Sequence, residues 1–154
     1  MTRPAEANSR SRLGIASRPA TPEPDARDPD TILCEAAGIL DFSPPVAVMV
    51  LYVTQYIQDS DNPHQIVSRV MDAMPPGSYL TMSDTTRGID TEGVTEATGR
   101  FNARRVAAQF TPRTREEIAA FFDGLDLVDP GLVPRAVPDP GQVVAVCGCI
   151  GRKP

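Results

Sequence analysis

With 154 residues the chain has room for one domain of modest core, and 20 acidic against 15 basic side chains give a net charge of −5 that argues against a nucleic-acid surface. Aromatic residues make up 5% of the sequence and tryptophan is absent, so no row of rings is on offer for stacking bases. Three cysteines, an odd number without a secretory apolar region, and no apolar run near the roughly 18–20 residues that span a bilayer predict a reduced, cytoplasmic protein with no membrane partner.

Residues 1–24, "MTRPAEANSRSRLGIASRPATPEP", are rich in Pro, Ser, Ala and Arg without either period, and predict a disordered tail rather than a targeting segment. A short helix is expected over 30–37, capped by Asp28 or Asp30, with Pro29 in its first turn. "LDFSPP" reads as a loop. Residues 46–53, "VAVMVLYV", are apolar without interruption and mostly β-branched, the pattern of a parallel strand covered on both faces. "NPHQIVSRVMDAMPPG" is a helix with Asp61 or Asn62 as cap, and Ile66, Val67, Val70, Met71 and Met74 fall on one face.

"SYLTMS", 78–83, is the next strand. A weaker helix follows over 90–108, with Gly93 and Gly99 each costing about 1 kcal/mol relative to alanine. "TREEIAAFFDG" is a strong helix: Thr114 and Glu117 have capping-box spacing, Ile118, Phe121 and Phe122 form the buried side, and Gly124 stops it. Two last strands, 125–128 (extending toward 133) and 143–150, are joined by "PRAVPDPG" and predict an antiparallel pair closing one edge.

The resulting order, β-α-β-α-α-β-β, predicts an α/β sheet, mostly parallel, with a C-terminal antiparallel hairpin. Ligands of such sheets bind beyond the carboxyl ends of the strands, which makes "LYVTQYIQD" the natural contact region. The run of "RDPDTIL", "LDFSPPVAVMVLYVTQYIQDSDNP", "IVSRVMDAMPPGSYLTMSD", "FFDGLDLVDPGLVP" and "GRKP" resembles, over 25–154, the C-terminal half of a bacterial family of S-adenosylmethionine-dependent methyltransferases. The resemblance implies part of a class I, Rossmann-like fold, S-adenosylmethionine as cofactor and an unidentified methyl acceptor. It places Asp25 and Ala26 against the adenine, Val50, Leu51 and Tyr52 along the cofactor cleft, and Gln55 and Tyr56 at the methyl-transfer site. Asp84, ending a strand, falls on the substrate side. Gln55 stands where the family usually carries histidine, so a titrating base is missing there, and no catalytic residue is assigned.

The Gly-rich turn after the family's first strand, and the acid that holds the ribose, have no counterpart in residues 1–24. The chain therefore reads as part of a methyltransferase, with two alternatives: a non-catalytic module that pairs with a separate chain, or another nucleotide-binding α/β domain. Without a neighbour, strand 46–53 is expected to become an exposed edge that self-associates or takes a partner chain, and lysine at Val48 or Val50 is expected to weaken association. Cys147 and Cys149, two apart on a strand, predict buried thiols rather than a metal site. "DSDNPH" is not a calcium loop, since His64 and Val70 occupy its glycine and glutamate positions. His64 reads as solvated, and Ser83–Asp84 lacks the glycines of a hydrolase nucleophile turn.

Overall fold

A computed structural model describes residues 24–104, 108–135 and 144–154. The expected tail up to residue 23, residues 105–107 and residue 143 of the expected last strand lie outside the described residues, and the weaker helix expected over 90–108 already ends at Asn102, with a turn at 103–104. α1 (Pro29–Ala37) begins where Asp28 accepts from Thr31 N at 3.1 Å and Thr31 Oγ1 at 2.7 Å, with Pro29 in the first turn. β1 (Ala47–Leu51) follows, then α2 (Pro63–Asp72) and β2 (Tyr79–Thr85). Asn62 precedes α2 in the left-handed region, φ 51°, and its side chain makes no capping bond. Pro63, at the first helical position, has no N–H to leave unpaired there.

α3 (Thr91–Asn102) is capped by Asp90, whose Oδ1 accepts from Gly93 N at 3.0 Å. α4 (Arg115–Ala119) opens on the expected capping box: Thr114 and Glu117 each bond the other's backbone N–H, and a 3-10 turn carries Phe121 and Phe122 inward. β3 (Asp126–Leu127), β4 (Val133–Pro134) and β5 (Val146–Arg152) complete the sheet. Gly124, at φ 80°, makes the turn between helix and β3. None of the described helices is long and apolar enough to cross a membrane.

The strand order is β1-β2-β5-β3, with β4 also beside β5. β1 and β2 are parallel, as the intervening α2 crossover requires. β5 runs antiparallel to β2, β3 and β4, so the sheet is mixed and the last strand in sequence is interior in space. Register separates two faces. On one, Val48 lies opposite Leu80, Val50 opposite Met82, and Met82 opposite Cys149. These pack with Val67 and Met71 of α2, Ile118, Phe121 and Phe122 into a single core. Gly151 belongs to this face, and a Cβ there would meet Phe122 at 2.8 Å, so only glycine lets the ring approach.

The other face is bare among the described residues. Met49 is 65% exposed, Leu51 42%, Tyr79 39% and Ile150 42%. Coverage of the first strand on both sides is thus corrected to coverage on one, because α2 and α4 both lie against the same face of the sheet. The ordered strand is also shorter than 46–53, ending where Tyr52 turns left-handed. At the far end, Lys153 Nζ donates to Met71 O (2.9 Å) and Asp72 O (3.2 Å) of α2 and to Met74 O (2.8 Å) in the turn that follows, placing a positive charge at the helix C-terminus.

Candidate functional site

The segment after β1 turns sharply into a 3-10 turn, Thr54–Tyr56. Tyr52, at φ 58°, is a bulky residue in a region that costs about 1–2 kcal/mol, and its N–H is held by Ser83 O at 2.7 Å. Two buried side chains fix the turn from below. Arg113, 3% exposed, donates to Thr54 O (2.7 Å), Ile57 O (2.9 Å) and Asp59 Oδ1 (2.7 Å), so one guanidinium clamps both ends. Thr54 Oγ1 donates to Asp84 Oδ2, while Asp84 Oδ1 has no partner among the described residues. Burial pushes the Asp84 carboxyl up to about 7, against the pull of Arg113 and the Gln55 N–H.

Above this base lies a cleft of about 440 Å³, lined by Asp25, Ala26, Tyr52, Tyr56 and Asp61 among others. Tyr56 packs edgewise with Phe101 and Phe110, ring centroids 6.1 and 5.8 Å away. Asn102 holds Phe110 in place like a backbone strand, accepting from its N–H at 2.7 Å and donating to its carbonyl at 3.0 Å. Asp25 is paired with Arg27, Nη2 to Oδ2 2.6 Å, and these bonds hold its carboxyl down to about 2. A ligand amine there would share the carboxylate with Arg27.

Four residues singled out from the sequence, Asp25, Ala26, Tyr52 and Tyr56, therefore meet in one cleft. The rest do not. Val50 packs into the core, and Leu51 lines a separate cavity of about 680 Å³ on the bare face, which Tyr52 borders from the other side. Gln55 is 4% exposed and its Oε1 accepts from Thr85 N at 3.1 Å, so it braces the turn against β2. Asp84 lies beneath the turn, 1% exposed. The aromatic group of Phe101 and Phe110, and the clamp by Arg113, escape sequence reasoning, because neither stands in a periodic pattern with the turn they support. Among the described residues no cluster of His, Cys, Asp and Glu could hold a metal.

Comparison with known proteins gives the site its setting. No curated protein matches the chain. A DUF574-family protein from Streptomyces avermitilis superposes with a TM-score of 0.76 at 34% identity, over 85% of this chain and 53% of the other. A candidate methyltransferase from Thermobifida fusca gives 0.68 at 30% identity, over 84% and 52%. An O-methyltransferase family protein from Burkholderia thailandensis shares the fold alone, with a TM-score of 0.51 at 15% identity over 85% of this chain and 34% of the other. The chain thus spans about half the length of the two nearer relatives named here. Residues 16–145 match the family model described as S-adenosyl methyltransferase, and the chain belongs to that family.

Proposed function

We propose that the Tyr52–Tyr56 cleft is part of an S-adenosylmethionine site and that the chain contributes to methyl transfer to an acceptor. One observation carries this reading: Asp25, Ala26, Tyr52 and Tyr56, distant in sequence, line the same cleft. Its volume lies within the roughly 300–1,000 Å³ of small-molecule sites. The tyrosine rings and the Asp61 carboxylate suit a cationic group, while Asp25 on the same wall is shared with Arg27. When bound, S-adenosylmethionine supplies an electrophilic methyl carbon, whose bond to sulfur breaks toward a neutral thioether as an acceptor lone pair attacks in line.

The chain's own task is orientation. Tyr56 presents a ring fixed by Phe101 and Phe110, and Arg113 prevents the turn from swinging away. Gln55, held against Thr85 N and without a titrating group, does not take the acceptor's proton. Reduced thiols at Cys34, Cys147 and Cys149 suit the cytoplasm.

Calorimetry tests the reading. Weak binding of S-adenosylmethionine is expected, with Kd about 0.1–1 mM, or about −4 to −5.5 kcal/mol, and with Tyr56→Leu abolishing the heat. A response to NAD with none to S-adenosylmethionine would assign the cleft to another nucleotide.

A further inference from the structure

The bare face and the β1 edge are continuous. Tyr79 N–H donates to Val46 O and Tyr52 N–H to Ser83 O, both across the β1–β2 ladder. In a parallel pair, alternate residues bond to the same neighbour, so Val46, Val48, Val50 and Tyr52 face β2. The peptide groups of Ala47, Met49 and Leu51 point the other way, toward no strand among the described residues. Natural edges are blunted by lysine, proline, inward charge or a bulge. This one, "AVMVL", carries no charge and no proline. Beside it, the exposed Met49, Leu51, Tyr79 and Ile150 make an apolar surface, into which the 680 Å³ cavity is sunk.

The solved relatives indicate what covers it. They share this sheet at TM-scores of 0.76 and 0.68, yet the match takes in only 53% and 52% of their length. Nearly half of each relative is therefore polypeptide outside the match, enough for further strands and helices. We propose that the β1 edge and the bare face are the docking surface for a polypeptide equivalent to that remaining part, adding a strand along Ala47, Met49 and Leu51 and laying an apolar helix surface over Leu51, Tyr79 and Ile150. The inference stands on the sheet and its relatives, independently of what the cleft binds.

The test is co-expression of the full chain with the segment of the Streptomyces avermitilis protein that lies outside the match. Complex mass is read by light scattering and individual amide exchange by NMR. A 1:1 complex is expected, in which the Met49 and Leu51 amides slow by about 100-fold. Those of Val48 and Val50, already bonded to β2, serve as internal references. Met49→Pro removes an outward N–H at an edge-strand position, where proline is tolerated, so it should weaken the complex at least about tenfold with little change in the chain's unfolding midpoint. Ile150→Glu, which leaves the edge intact and charges the face, should do the same by a separate route. Recovery of the chain without the segment overturns the proposal, as do unchanged Met49 and Leu51 amides in a complex. A homodimer that protects those amides and excludes the segment overturns it too, since a second copy is then the occupant.

Discussion

Asp84 shows how a single buried group can set the pH response of the fold. Its carboxyl titrates near 7 in the folded chain against 3.8 as the ordinary value, so between those limits the folded state holds the proton and the unfolded state has lost it. By linkage, stability from this group is full below about pH 4 and is lost as pH rises through about 7. His64 acts in the opposite sense: burial against Phe121, with ring centroids 3.9 Å apart, lowers its pKa, so its contribution is present above about pH 6.5 and is lost on acidification. Asp84→Asn should therefore remove the decline between pH 4 and 7 and leave the His64 slope visible. Urea midpoints measured across that range check it; identical pH profiles for the two proteins would contradict the assignment. The solvated reading of His64 holds for its exposed edge, while its face rests on Phe121.

Among the elements, the helices were the most legible in the sequence because their ends carry local chemistry. Asp28 and the Thr114–Glu117 box cap their helices through neighbours within three residues, as their spacing predicts, whereas Asn62 makes no capping bond and Asp90 caps a helix it was expected to belong to. The strands were legible as apolar runs but not in their order. Placing β5 between β2 and β3 requires Thr81 to meet Ile150, a pairing that no local signal encodes. The direction of β1's side chains was likewise hidden in an unbroken apolar run. Val48 and Val50 face the core, so lysine there would bury a charge, and Met49 is the position that meets solvent. Of the site, Tyr52 and Tyr56 were readable through family likeness, whereas Arg113, nearly sixty residues from the turn it clamps, was not.

Lys153 supports an element-scale prediction. Lys153→Met keeps the apolar stem and deletes three bonds, to the α2 carbonyls of Met71 and Asp72 and to Met74 O in the turn beyond, two of the three partly buried. A loss of about 1–3 kcal/mol is expected, seen as a lower urea midpoint with an unchanged slope. The α2 face against the core, through Val67 and Met71, should remain intact.

On the scale of the whole molecule, the three thiols report on cooperativity. Cys34 is exposed on α1, while Cys147 and Cys149 are buried in β5 and burial raises their pKa. A thiol reagent should label one site rapidly in the native state and all three only after unfolding, with Cys147 and Cys149 appearing together. Labelling of Cys149 at the rate of Cys34 under native conditions would mean that β5 frays independently of the sheet.

The interior position of β5 bears on how the chain is made. Its register binds Val146 to Thr85 and Arg152 to Tyr79, so residues 86–145 are synthesised between a strand and its partner. On the ribosome, β1, α2 and β2 emerge first and must wait, with one flank of β2 unpaired, until residues 146–153 have cleared the exit. At roughly 5–20 residues per second, the nascent sheet stays open for several seconds. Through that interval the unpaired edge of β2 is within reach of chaperones.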